Sequence, residues 1–276
     1  KPADTLRILT FGGSAMFNRQ MSERLIRAMT PELNGRLELQ GAALRSHTSR
    51  SSLIKYRDHF SNYDIDYIFI YHGINDLFAD QCPQEKFRED YTQLNAWYRR
   101  GFLLDNSIIA RFLYNRVIHK RQYRFSPRRY KESGEFRSIP TYEANIRELV
   151  QRIKQDGAKP VLMTFAWHIP DDYTREGFLS HELDYVNPTH QNECPVDLWG
   201  SVDYVRESLK RNSATMKRIA REEGVPLIDQ DDRLSHRAEW FGDICHFNEP
   251  GSDQFVASLV EFLKADGAFA TGSKNE

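Results

Sequence analysis

Leu6-Arg7-Ile8-Leu9-Thr10-Phe11-Gly12-Gly13-Ser14 is the stretch on which the fold turns. Its apolar run predicts a short buried strand from Leu6 to Phe11, and two glycines then break the run into a tight turn. From Met16 to Met29 the apolar residues Leu25, Ile26 and Met29 fall at helical spacing. Strand, tight turn and helix form the repeating unit of a parallel sheet, in which each crossover needs a connection of this kind.

The unit recurs along the chain. Leu37 to Gly41, Tyr67 to Tyr71, Pro160 to Ala166 and Val225 to Ile228 read as the second to fifth strands. Ser51 to His59, Tyr142 to Gln155, Val202 to Glu223 and Ser252 to Leu263 read as helices. Buried β-rich runs alternating with amphipathic helices predict a parallel sheet covered on both faces, as one domain over 1–276. Two segments depart from the rhythm. An insertion at about 78–140 contains extra helices from Glu85 to Arg121, with Phe87, Tyr91, Trp97, Tyr98, Phe102, Phe112 and Tyr114 interleaved with charge. His168 to Leu198 is a long loop of little periodicity, and loops of that length are usually functional. The tail at about 268–276 reads as frayed.

The 276 residues carry 38 basic and 39 acidic side chains. That balance excludes a globally polycationic chain, so nucleic acid is not an expected partner. No apolar run approaches the roughly 20 residues that span a bilayer. The chain begins at Lys1, which reads as a processed or trimmed product. Of the cysteines Cys82, Cys194 and Cys245, the last is expected to stay free beside a loop of interest, and Cys82 with Cys194 is the one pairing considered.

Ser14 follows the first strand at the start of the expected helix. A serine hydroxyl becomes a nucleophile when a base takes its proton, and free N–H groups at a helix N-terminus hold a developing oxyanion. Serine is also a favoured helix cap, and that reading stands beside the first. Phosphate cradling is weaker, because Gly12-Gly13-Ser14 lacks the lysine of a P-loop and the spaced glycines of a dinucleotide fingerprint. After the third strand comes Tyr71-His72-Gly73-Ile74-Asn75-Asp76. The Asn75 amide, aimed into a cleft, can donate to a tetrahedral oxyanion; an ordinary Asn-Asp turn is the alternative. Location favours the donor, because strands one and three are neighbours at the switch point of a flavodoxin-like sheet. Asp243 and His246, three apart before the last helix, let a carboxylate orient an imidazole whose other nitrogen takes a serine proton. A helix-terminal carboxylate or half of a metal site are the alternatives. A metal needs further ligands, which His236 or Cys245 offer loosely.

Together these blocks resemble those of the SGNH hydrolases, also called GDSL-type esterases and lipases. Leu9-Thr10-Phe11-Gly12-Gly13-Ser14 stands where the family usually has Gly-Asp-Ser, and a subgroup carries Gly-Gly-Ser. Gly73-Ile74-Asn75-Asp76 matches the Gly-x-Asn-Asp block, and Asp243-Ile244-Cys245-His246 the Asp-x-x-His block. The resemblance covers most of the chain and is specific through the order of the blocks. It implies a three-layer α/β/α sandwich around a flavodoxin-like five-stranded parallel sheet, with Ser14 as nucleophile, His246 as general base and acid, and Asp243 as orienter. It also implies an oxyanion hole from the Ser14 backbone N–H, the Asn75 side chain and a second-block backbone N–H. For that last donor the family shows glycine two residues before a Thr-Ser pair, and here Ser46-His47-Thr48-Ser49 puts Ser46 there. Serine serves if its φ and ψ permit; Gly41 is the weaker substitute. The Gly-Gly-Ser subgroup resembles bacterial proteins that are often exported, so an extracytoplasmic location is expected, secreted or anchored, with an N-terminal segment removed.

On the substrate side, Gly73 and His168 are expected to face the crevice, although His168 in Trp167-His168-Ile169-Pro170 serves equally as a turn cap. Trp167, Trp199 and Trp240 read as core more than as pocket walls, and His72 as packing. From Arg111 to Lys131 there is no acidic residue, while Arg111, Arg116, Lys120, Arg121, Arg124, Arg128, Arg129 and Lys131 alternate with Phe112, Tyr114, Tyr123, Phe125 and Tyr130. The favoured reading sends these aromatics into the core under hydrated arginines. The alternative is a peripheral contact with a membrane or an anionic polymer. The expected activity is serine-dependent hydrolysis of carboxylic esters through an acyl-enzyme, without metal or organic cofactor. The expected substrate is a small-molecule ester or an acylated glycan or lipid. An O-acetyl esterase or O-acyltransferase acting on a surface glycan is the alternative, followed by a non-catalytic glycan- or lipid-binding module on the same fold.

Overall fold

Five parallel strands make one sheet in the order β2-β1-β3-β4-β5. The computed structural model describes residues 1–2, 4–16, 19–33, 36–99, 101–119, 135–186 and 194–269. Strand β1 (Thr5–Gly12) lies between β2 (Arg36–Gly41) and β3 (Tyr67–Tyr71), in the register Ile8 opposite Leu39 and Tyr67. Strands β4 (Lys159–Met163) and β5 (Leu227–Ile228) follow outward from β3. The two-residue period of a strand sends Leu6 and Ile8 to one face of the sheet and Leu9 and Phe11 to the other, and both sets are buried. Each such side chain contributes about 1.5–3 kcal/mol when fully removed from water.

Helices α1 (Arg19–Met29) and α2 (Ser49–Lys55) flank the sheet on opposite faces. The expected helix from Ser51 to His59 is divided: α2 gives way to a π turn over Tyr56–Phe60. In the insertion, α3 (Phe102–Asn106) and α4 (Ile108–Leu113) are short, and a π turn (Tyr114–His119) continues α4. Between β3 and α3 the chain makes 3-10 turns in place of the longer helices expected. Local polar side chains explain the breaks. Thr92 N–H donates to Asp90 Oδ1 at 3.1 Å and Trp97 N–H to Asn95 Oδ1 at 3.0 Å, each closing a local turn, and Ser107 Oγ accepts from Ala110 N–H at 3.1 Å to cap a new helix, α4, where α3 ends.

Beyond the insertion come α5 (Ser138–Gln155), α6 (Arg175–Ser180), α7 (Val202–Glu223), α8 (Gln230–Leu234) and α9 (Glu249–Ala265). Ile146, Leu149 and Ile153 of α5 and Met216 and Ile219 of α7 share a core with α2, while α1 and α9 pack together on the other face. The fold is therefore a three-layer α/β/α arrangement.

One expectation about the insertion needs correction. Tyr91 and Tyr98 are buried, but Trp97 and Phe112 are 53% and 57% exposed. The helices α3 and α4 pack on each other and on the following turn, so one side of them has no sheet to cover. The residues Lys120, Arg121, Tyr123, Arg124, Phe125, Arg128, Arg129, Tyr130 and Lys131 lie outside the described part, as do residues 270–276 of the tail.

The two carboxylates of the Ile74–Asp80 turn each start a helix. Asp76 accepts from Ser49 N–H (3.0 Å) and Ser49 Oγ–H at the first turn of α2; Asp80 accepts from Ser138 N–H (2.8 Å) and Ser138 Oγ–H (2.6 Å) at the first turn of α5. Burial pushes the Asp76 carboxyl up to about 7 from an ordinary 3.8, against the Ser49 hydrogen bonds that favour the anion. The folded protein thus holds this proton more tightly than the unfolded chain does. The resulting stabilisation is complete below about pH 4 and is lost as pH rises through about 7. Asp76→Asn removes the titrating group, so the thermal midpoint of the parent should fall relative to the variant between about pH 4 and pH 7. Parallel midpoints across that range would refute the assignment.

Candidate active site

The crevice lies where the strand order reverses, at the carboxyl ends of β1 and β3. Ser14 sits on a turn closed by Met16 N–H donating to Gly13 C=O at 3.1 Å, and α1 begins five residues after Ser14, so the serine precedes the helix and does not cap its first turn. A Cβ at Gly12 would lie 2.8 Å from Met16 Cβ and 2.9 Å from the Tyr71 carbonyl oxygen, which is why this strand exit needs glycine.

Asp243 and His246 occupy a pinched loop. Phe241 and Phe247 form an antiparallel bridge across it, and Gly242 N–H donates to His246 C=O at 2.8 Å. Asn248 then caps α9 by accepting from Gly251 N–H at 2.9 Å. Inside the loop Asp243 is fully buried, and its Oδ1 accepts from the N–H groups of Cys245 (2.9 Å) and His246 (2.7 Å). Its Oδ2 lies 2.7 Å from His246 Nδ1, and His246 Nε2 lies 2.8 Å from Ser14 Oγ. An ionised carboxylate only accepts, so Nδ1 carries the hydrogen and Nε2 offers its lone pair to the serine hydroxyl. Residues 232 positions apart meet here in one hydrogen-bonded chain.

Asn75 enters from the end of β3, where its Nδ2 donates to the His47 carbonyl at 3.0 Å. The same amide lies against Gly13, where a Cβ would collide with it. Gly73 is buried, and a Cβ there would collide with Phe165, so this glycine serves close packing beneath the crevice. His72 is buried and bonded to Ser52 Oγ at 2.8 Å, and burial pushes its imidazole down to about 3. It is a neutral packing residue, as expected. His168 is also buried, with Nε2 2.9 Å from Asp184 Oδ1, while Tyr185 O–H donates to its carbonyl at 2.9 Å. These bonds tie the segment after β4 to the strand end.

Ser46 stands in the left-handed region at φ 59°, the conformation for which glycine is the easy choice. That explains why glycine is the usual residue of the resembling family there. Gly41, by contrast, is the last residue of β2, opposite Thr10. Ser46→Gly should raise folding stability by about 0.5–1 kcal/mol in denaturant titrations, the left-handed penalty less the added entropy of an unfolded glycine. A β-branched Ser46→Val should be destabilising instead.

The three cysteines are free thiols, so Cys82 and Cys194 do not pair. Cys82 Sγ donates to Ala79 C=O at 3.3 Å. Cys194 instead lies beside the pinched loop, where one ligand atom each of Cys194, Asp243 and His246 come within 4.8 Å of one another. A metal there would take the nitrogen or carboxylate oxygen that the Ser14 chain uses. Burial holds the Cys245 thiol well above its usual range. The position of Cys194 had no signal in the aperiodic loop that carries it.

Next to Ser46 opens a cavity of about 460 Å³, walled by Thr48, Gln81, Gln93, Asn95 and Tyr98 over Phe78, Leu94 and Leu198. Most of this wall belongs to the insertion, whose broken turns hid it from periodicity arguments.

A hydroxyl, an imidazole and a carboxylate in one hydrogen-bonded chain at the switch point of a parallel sheet define the class of an SGNH-type esterase. The chain belongs to the GDSL-like lipase/acylhydrolase family, whose sequence model matches residues 9–254. In fold it is similar to the lipase/acylhydrolase from Enterococcus faecalis, at 14% identity over 95% of this chain and 96% of that one, with a TM-score of 0.54. It is also similar to an alpha/beta hydrolase enzyme from the metagenome of Lake Arreo, Spain, at 15% identity over 96% of each chain and a TM-score of 0.52. An acetylxylan esterase from Geobacillus stearothermophilus shares the fold at 14% identity over 95% of this chain and 94% of that one, with a TM-score of 0.50. No curated protein matches the chain.

Proposed function

We propose that the protein hydrolyses carboxylic esters through an acyl-enzyme on Ser14, with His246 as general base and acid and Asp243 as its orienter. The observation that carries this reading is the continuous chain from Asp243 through His246 to Ser14 Oγ. In the first half-reaction the Ser14 proton passes to His246 Nε2 as Oγ bonds to the ester carbonyl carbon. The resulting oxyanion takes hydrogen bonds from the Ser14 and Ser46 backbone N–H groups and the Asn75 amide. Among the described residues neither of those two N–H groups has a partner within the protein, which supports their availability. Collapse expels the alkoxide, which leaves with the proton from His246; a water then repeats the sequence on the acyl-enzyme and releases the acid.

Reaction with a fluorophosphonate near neutral pH, followed by peptide mass spectrometry, tests the proposal. Stoichiometric label on Ser14 is expected; its absence refutes the nucleophile. Absent label with ester-analogue binding intact would point to the non-catalytic binding module. Asn75→Ala should lower turnover about 10²- to 10³-fold with little change in KM, since the amide acts on charge that develops in the transition state.

The cavity beside Ser46 favours a neutral polyhydroxylated alcohol, such as an O-acylated sugar. No charged side chain lines it among the described residues, and its walls carry the neutral polar side chains of Thr48, Gln81, Gln93, Asn95 and Tyr98, which suit hydroxyl groups. O-acetyl esterase or O-acyltransferase activity on a glycan would use the same chemistry. The partition of acetyl between water and added sugar hydroxyls separates the two.

A further inference from the structure

We propose that the outer face of α3, α4 and the turn that follows is a docking surface for a bilayer containing anionic lipid. Of the fourteen exposed large hydrophobic side chains among the described residues, eight fall between Trp97 and Ile118, so their exposure is a feature of one place and not a scatter. Ile108 is 86% exposed, Ile109 73% and Leu103 69%. Ile108, Ile109, Phe112 and Leu113 repeat at the spacing of one helical face, and Val117 extends it into the π turn. From Ile108 to His119 the helical segment has 12 residues, about 18 Å, too short to cross a bilayer but long enough to lie in its interface.

Charge selects the occupant. Arg116 projects from this face over the Phe112 ring, 5.6 Å from its centroid, and Arg111 lies 5.0 Å from the centroid of the exposed Trp97 ring. The sequence from Asn106 to Lys131 holds no acidic residue, although the whole chain has 39 acidic against 38 basic side chains. An apolar face that carries Arg111 and Arg116, with no acidic residue on α4 or the turn after it, matches headgroup phosphates above acyl chains. A second copy of the chain would instead bring like charges together. Tyr98, at the end of the 3-10 turn that carries Trp97, also walls the cavity beside Ser46, and that turn packs on the turn after α4. Docking through this face therefore bears on the same insertion that borders the substrate cavity.

Co-sedimentation with vesicles tests this, comparing phosphatidylcholine alone with a mixture of phosphatidylglycerol and phosphatidylcholine. The parent protein should pellet with the mixed vesicles about tenfold more strongly than with phosphatidylcholine alone. The variant Ile108→Asn/Ile109→Asn/Phe112→Asn should lose at least about tenfold in partitioning, and Arg116→Glu should lose most of the preference for the anionic vesicles. The replaced side chains already face water, so hydrolysis of a soluble acetate ester and the thermal midpoint should stay at parental values. In the parent, Trp97 fluorescence should shift to the blue on adding mixed vesicles. Four results would overturn the proposal: no binding to mixed vesicles; equal binding by the triple variant; a concentration-dependent dimer that the triple variant abolishes; or retention on a soluble anionic polymer, polyglutamate, equal for parent and triple variant and exceeding vesicle binding.

Discussion

Ser14→Ala should reduce ester turnover about 10⁴-fold or more, and His246→Ala should do the same. The arrangement makes the two losses one event. In the proposed reaction the Ser14 proton passes to the Nε2 atom 2.8 Å away, and Nε2 without the hydroxyl has no nucleophile to activate. The double variant should therefore be scarcely slower than either single one. Residual activity then reports the oxyanion donors alone. Steady-state kinetics on a chromogenic short-chain ester measure all three variants. A loss below tenfold in either single variant would remove that residue from the reaction.

Asp243→Asn should cost about 10⁴-fold in turnover with the fold intact. The reason lies in how Asp243 is held. Oδ1 accepts from the N–H groups of Cys245 and His246, so an asparagine must place its carbonyl oxygen there. Its NH₂ group then falls where Oδ2 stood, 2.7 Å from His246 Nδ1, and donates to that nitrogen. The hydrogen moves to Nε2, which can no longer take the serine proton. Asp243→Ala leaves two buried N–H groups unpaired and should add a loss of stability that the asparagine variant escapes. Near-parental thermal midpoints for Asp243→Asn, alongside its kinetic loss, distinguish a wrong tautomer from a damaged loop.

Much of this fold could be read from periodicity. Strand β3 and helix α7 begin and end where the sequence pattern predicts them, because both run from one clear boundary to another and face the core regularly. The order of blocks also anticipated that Ser14 and His246 meet. Elsewhere the signal was tertiary. Strand β4 ends at Met163, short of the expected Ala166, because its neighbour β5 offers two paired residues. The insertion is broken by side chains such as Asp90, Asn95 and Ser107 that bond their own backbone, a competition that apolar spacing does not record. Its aromatics divide between core and solvent because packing partners, and not composition, decide burial. Ser46 was legible as a departure from glycine, but its left-handed backbone was not, since nothing local forces serine into that region.

None of the hydrogen bonds that link Asp243, His246 and Ser14 comes from the segment between β3 and α5. That segment nevertheless supplies most of the wall beside Ser46 and all of the apolar ridge around Ile108. Its first residues are anchored, since Asn75 reaches the His47 carbonyl in the crevice and Asp76 and Asp80 hold the first turns of α2 and α5. Grafting only the part beyond those anchors, 84–119, from a relative should reshape the recess and the ridge together while the hydrogen bonds among Asp243, His246 and Ser14 stay as they are.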